Sequence, residues 1–165
     1  MEMASNTPGY GSFGPKTTQK WKSVVSNSAT YNNLFDSANI LKEKSNFQAS
    51  NMILHSLIDG YYTPVDIKIK SKFLRAQIYY DLSYYEAAVS YFKILISEEI
   101  NNEYRKKSLF MIPYILNNNL DMYTDALFFY SQFLKEYKND DLVASVKYEI
   151  EQINNVLANI KEWYV

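Results

Sequence analysis

A shift of 38 residues lays the middle of this chain over both of its flanks. Phe47, Tyr85 and Tyr123 fall in one column, and three places on stand the small residues Ser50, Ala88 and Ala126. Bulky columns follow at Leu54, Phe92 and Tyr130, at Leu57, Leu95 and Phe133, and at Ile58, Ile96 and Leu134. Within each copy these positions are spaced by one, three or four residues, the signature of a helix face. A unit of this length cannot bury its apolar face alone, so copies must stack. The pattern predicts an all-α chain, an α-solenoid of three helix-turn-helix repeats with a C-terminal capping helix. Arrays of this kind hold other proteins.

In chain order, residues 1–28 differ in composition. Three of the four glycines and two of the four prolines lie there among Ser, Thr and Asn, too little apolar surface to offset the entropy of ordering. This stretch is expected to be a flexible tail or linker. Trp21, Val24 and Val25 either pack on the first helix or dock on a partner or neighbouring domain. Residues 29–165 form the repeat domain. Its first helix is expected from about Ala29 to Lys44 and its second from Phe47 to Ile58, with Asn46 as N-cap and Gly60 as a left-handed C-cap. Thr63 and Pro64 are placed to start the third helix, with Asp66 at its positive end. Ser83 and Glu86 have the spacing of a capping box. Asn101-Asn102 open the fifth helix, in which Pro113 is expected to cause a kink or a shifted start. Asp121 is expected to cap the sixth. A last helix carries Leu142, Val146, Ile150, Ile153, Leu157 and Ile160 as one stripe.

Several chemistries are disfavoured. The chain has no cysteine, which removes disulfides, thiol nucleophiles and thiolate metal sites. His55 is the single histidine and stands beside a core position, so a solvated role is the simpler reading than a catalytic one. No glycine-rich phosphate loop exists outside the first residues. Neither a cofactor nor a metal is expected, and the chain is not expected to be an enzyme. A formal charge of −1 gives no basic groove, so the sixteen tyrosines are assigned to packing rather than to stacking on nucleic acid. No apolar run reaches the length of a membrane span. The amino terminus shows no export signal, which makes the cytoplasm the default compartment; the cell envelope or export is expected instead if this is a piece of a longer chain.

The turn Tyr85-Glu86-x-Ala88, with Ala76 twelve residues before Ala88, resembles the tetratricopeptide repeat. Counting that family's unit from Tyr31, Ile69 and Lys107, its first small position falls on Ala38, Ala76 and Tyr114. Its second falls on Ser50, Ala88 and Ala126. The chain departs from the family in its period, 38 against 34, and in the residues Tyr62, Ile100 and Lys138, where a proline is usual. The tryptophan and glycine of the family's first helix are also missing. The segment from Tyr130 to Asp140 is similar to the bacterial cell-envelope branch.

The resemblance implies that the first helix of each pair lines a groove for a peptide segment or helix of another protein. The positions it points to are Phe35, Asn39 and Lys42, then Lys70, Phe73, Gln77 and Tyr80, then Met111, Ile115 and Asn118. The family's clamp for a terminal carboxylate needs lysine where Phe35 stands, so that variant is disfavoured. The alternative function is a structural domain that packs on the rest of a longer chain or self-associates.

Overall fold

The computed structural model describes residues 28–98 and 102–162. Trp21, Val24, Val25 and Asn101, with the expected tail, lie outside the described residues. Those residues hold seven helices and no strand: α1 (Ser28–Glu43), α2 (Phe47–Asp59), α3 (Val65–Asp81), α4 (Tyr85–Ser97), α5 (Glu103–Asn118), α6 (Tyr123–Glu136) and α7 (Val143–Glu162). Each helix packs on the next, and α1 also touches α3, as α3 touches α5. The chain is therefore a helical-repeat solenoid of three hairpins, α1/α2, α3/α4 and α5/α6, with α7 laid on the last.

Three of the five repeat columns are buried, and the other two, Phe47/Tyr85/Tyr123 and Ile58/Ile96/Leu134, are half-buried. Ser50, Ala88 and Ala126 are fully buried, as are Leu54, Phe92 and Tyr130 and, almost completely, Leu57, Leu95 and Phe133. Ala38 and Ala76 face them from α1 and α3 without exposure. The third copy replaces this small residue with the half-buried Tyr114. On α7, Val146 and Ile153 are buried, whereas Ile160 at the end of the stripe is exposed.

The turns repeat as faithfully as the core. Ser45, Ser83 and Asp121, each 38 apart, have φ of 58°, 61° and 54°. In the first two turns the left-handed residue donates its N–H three residues back, Ser45 to Lys42 and Ser83 to Tyr80. The next residue donates five back, Asn46 to Leu41 and Tyr84 to Tyr79. This is the Schellman arrangement, which satisfies the carbonyls orphaned at a helix end. In the third turn Met122 donates six back, to Leu116, so that loop holds one extra residue.

This geometry corrects several expected caps. Ser83 ends α3 rather than starting α4, whose N-cap is Tyr84 with no side-chain cap bond; the capping box does not form. Asp121 likewise precedes the true N-cap, Met122, and its carboxylate accepts from the Tyr123 hydroxyl at 2.9 Å. At α3 the N-cap is Pro64, not Thr63. Gly60 is not left-handed: its φ is −59°. It is required for space, because a Cβ there would lie 2.8 Å from the Ser56 carbonyl oxygen and 2.4 Å from Thr63 Oγ1. Asn46 and Asn102 do cap, their side chains accepting from Ala49 and Arg105. Pro113 sits buried inside α5 and leaves its start at Glu103 unshifted.

The two ends of the array differ. The columns that bury Ser71 and Leu74 on α3, and Leu109 and Ile112 on α5, hold Asn33 and Asp36 on α1, both exposed. The first hairpin thus presents polar groups where later ones are covered. Its core is also the smaller. Ala38, Leu54, Leu74 and Ile78 form one cluster, and Tyr31, Leu57 and Ile67 another, while a single larger cluster runs from Ile69 to Ile153.

Candidate partner-binding face

The odd-numbered helices lie side by side, and half-buried side chains tie each junction between them. Over α1–α3, Lys70 donates from Nζ to Asn32 Oδ1 at 2.7 Å and sits 4.4 Å above the Phe35 ring. At the other end of the same junction Lys42 pairs with Asp81 at 2.9 Å. Over α3–α5 the Tyr80 hydroxyl meets that of Tyr114. Burial first, then the negative charge that a neighbouring Tyr114 phenolate would add, push Tyr80 above the ordinary phenol value. From α5 to α7, Asn117 Nδ2 donates to Glu149 Oε2 at 3.2 Å.

Six of the ten sequence-derived residues share this face in partly exposed positions next to a junction or on its line: Phe35, Lys42, Lys70, Gln77, Tyr80 and Met111. Asn39 is half-buried and donates to Glu43 at 3.1 Å within α1. Asn118 is exposed and donates to the Tyr114 carbonyl at 2.9 Å. The remaining two belong to the core. Phe73 is 8% exposed and packs edge-on to Phe92 and against Tyr104. Ile115 is 0% exposed and joins the cluster that contains Val146 and Ile153. Neither presents surface to a partner.

Sequence reasoning missed Asn32, Asp81, Tyr114, Asn117 and Glu149. Asn32 was within reach, since it stands one period before Lys70. Glu149 was not, because α7 entered only as a lid.

Other groups of chemical interest lie apart from this face. His55 Nδ1 is 2.7 Å from Asp59 Oδ2 one turn along α2, both largely exposed. An open hollow of ≈ 470 Å³ on α6 is lined by Phe128, Ser131, Gln132, Lys135 and Glu136, with no histidine in its lining. Among the described residues no set of three His, Cys, Asp or Glu side chains is placed to hold a metal ion. No described helix is long and apolar enough to cross a membrane. No known family model matches the chain, and no curated protein matches it.

Proposed function

We propose that this chain is a non-catalytic scaffold of the tetratricopeptide type, whose odd-helix face receives a peptide segment or helix of another protein. One observation carries the reading: side chains from four successive odd helices are already cross-bridged over every junction of that face. A surface so held loses little conformational freedom when a partner arrives, which is what a binding face needs. The mixture of aromatic, thioether and amide groups with few free charges suits a segment that is partly apolar.

Tyr80 and Met111 are the residues to probe, because each is partly exposed on the face and neither is fully buried in the core. Affinity capture with Tyr80→Ala and with Met111→Ala should lose the same bound protein while circular dichroism stays unchanged. A partner retained by both variants would place binding elsewhere.

The second reading, an assembly domain, draws on α7. Besides Ile160 at the exposed end of its stripe, this helix leaves Tyr148 and Val156 exposed, about 80° apart at 100° per residue. Concentration-dependent sedimentation that Val156→Lys abolishes would favour this reading over the first.

A further inference from the structure

We infer that the segment received by the odd-helix face belongs to another protein and carries a basic side chain over the α5–α7 junction and an acidic one over α1–α3. The inference rests on the peptide-binding reading above. Its ground is a contrast among the half-buried charges that link one helix to another. Lys42 is matched by Asp81, Lys72 by Glu98, Arg105 by Glu136 and Lys106 by Asp140. Lys70 and Glu149 break the pattern on this face; Arg75 also lacks an ion pair, but it lies over the Tyr91 ring of α4 rather than across an odd-helix junction. Lys70 and Glu149 each span a junction, but the partner is a neutral amide, Asn32 for Lys70 and Asn117 for Glu149. Neither has an ion-pair partner among the described residues. Among the described residues the face thus carries a positive charge without an ion pair at its amino-terminal end and a negative one at its carboxy-terminal end.

The surroundings reinforce both signs. Lys70 is stacked on Phe35, whose ring holds an ammonium without neutralising it. Around Glu149 the neighbours are the Asn117 amide and the phenol of Tyr130. The Tyr130 hydroxyl is buried and lacks a hydrogen-bond partner. Burial, and then the Glu149 charge, keep it protonated well beyond the usual phenol range. A half-desolvated charge that is unpaired in the free protein is where an incoming opposite charge gains most in orientation and specificity. Arginine suits the Glu149 end best, because its planar fork can take both carboxylate oxygens.

The spacing is set by the fold. Lys70 stands near the start of α3, and Asn117, which meets Glu149, near the end of α5. Two interhelix steps across and about nine residues along the helix axis give roughly 23 Å, or about seven residues of extended chain.

The probe is a displayed library of random peptides, selected in parallel on the wild type and on Glu149→Lys, Lys70→Glu, Tyr80→Ala and Met111→Ala. Peptides enriched on the wild type should carry one basic and one acidic residue at about that separation. They should weaken about tenfold or more on either charge reversal. The doubly reversed variant should enrich the same spacing with signs exchanged. Each reversal loses a junction hydrogen bond, and Lys70→Glu also the contact with Phe35, but neither breaks an ion pair; circular dichroism and a urea melt check that each variant is folded before peptides are compared. Peptides that depend on Tyr80 and Met111 yet show no charge preference would overturn this inference and leave the binding face standing. Peptides indifferent to Tyr80→Ala and Met111→Ala would overturn the face, and the charge assignment with it.

Discussion

The Ser50 hydroxyl donates a 2.7 Å hydrogen bond to the main-chain carbonyl of Ala38, across the crossing of α1 and α2. Only backbones in near contact allow so short a side chain to span the gap. In the second hairpin Ala76 and Ala88 occupy the same two places, both without exposure. Ala88→Leu should therefore overpack the crossing and lose about 1–3 kcal/mol. Ala87→Leu adds the same bulk about 100° around the helix, at a half-buried position, and should lose less. Urea melts of the pair rank them; the opposite order would mean that α4 is rolled on its axis relative to this description.

Two turn substitutions should act with opposite signs. Ser45 holds a positive φ without being glycine, so Ser45→Gly removes left-handed strain while adding chain entropy to the unfolded state. The net expectation is a gain of about 0.5–1 kcal/mol. Gly60→Ala meets the Ser56 carbonyl oxygen at 2.8 Å and should lose about 1 kcal/mol or more. Both are read as shifts of the urea midpoint at constant m-value.

Tyr130 carries a buried hydroxyl with no partner. Tyr130→Phe should raise stability at neutral pH by about 1 kcal/mol or more. It should also alter the alkaline limb. A phenol whose folded-state pKa is raised keeps its full stabilising share below the ordinary value near pH 10, and loses it as pH rises from there. Wild-type stability should fall above about pH 10, and the fall should be shallower in Tyr130→Phe. Equal slopes would show that this hydroxyl titrates alike in the folded and unfolded chain, as one reached by solvent would.

At acid pH the critical contact joins α5 to α6 through Arg105 and Glu136. The hydrogen bond from the guanidinium holds the Glu136 carboxyl below its usual range. A depressed carboxylate contributes stability above the unfolded-state pKa and loses it as pH falls through the folded value. Arg105→Gln should accordingly flatten the stability profile below about pH 4.3. A residual slope belongs to Asp140 and Glu103, which Lys106 and Lys107 depress in the same way. Added salt should weaken the effect, since these pairs are partly solvated.

The helices and their buried columns could be derived from the sequence because burial repeats with a fixed period, and period is visible in one dimension. Turn chemistry was less visible. Ser83-x-x-Glu86 is the same string whether serine caps the following helix or ends the preceding one, and only the bonds from Ser83 to Tyr80 and Tyr84 to Tyr79 decide. Gly60 suggested a backbone requirement where the real constraint is space. For the face, carrying positions forward by one period assumed equal surroundings in every copy. Asn39 and Gln77 stay half-buried at that position, whereas Ile115 enters the core cluster shared with α7. Bridges such as Asn117 to Glu149 join different positions of different helices, and no periodic signal marks them.

The lean core of the first hairpin has a kinetic meaning. In a linear array, stability is approximately a sum over units and junctions, so opening begins where the sum is smallest. Here that is the α1/α2 end, with its two small clusters and polar outer columns. The same hairpin supplies Asn32, Phe35 and Lys42 to the odd-helix face. Its opening would therefore dismantle the Lys70 end of that face while leaving the Glu149 end intact. A bound segment then acts as a clasp: spanning both ends, it slows amide exchange in α1 and α2 far more than in α5 and α6, which the larger core already holds closed.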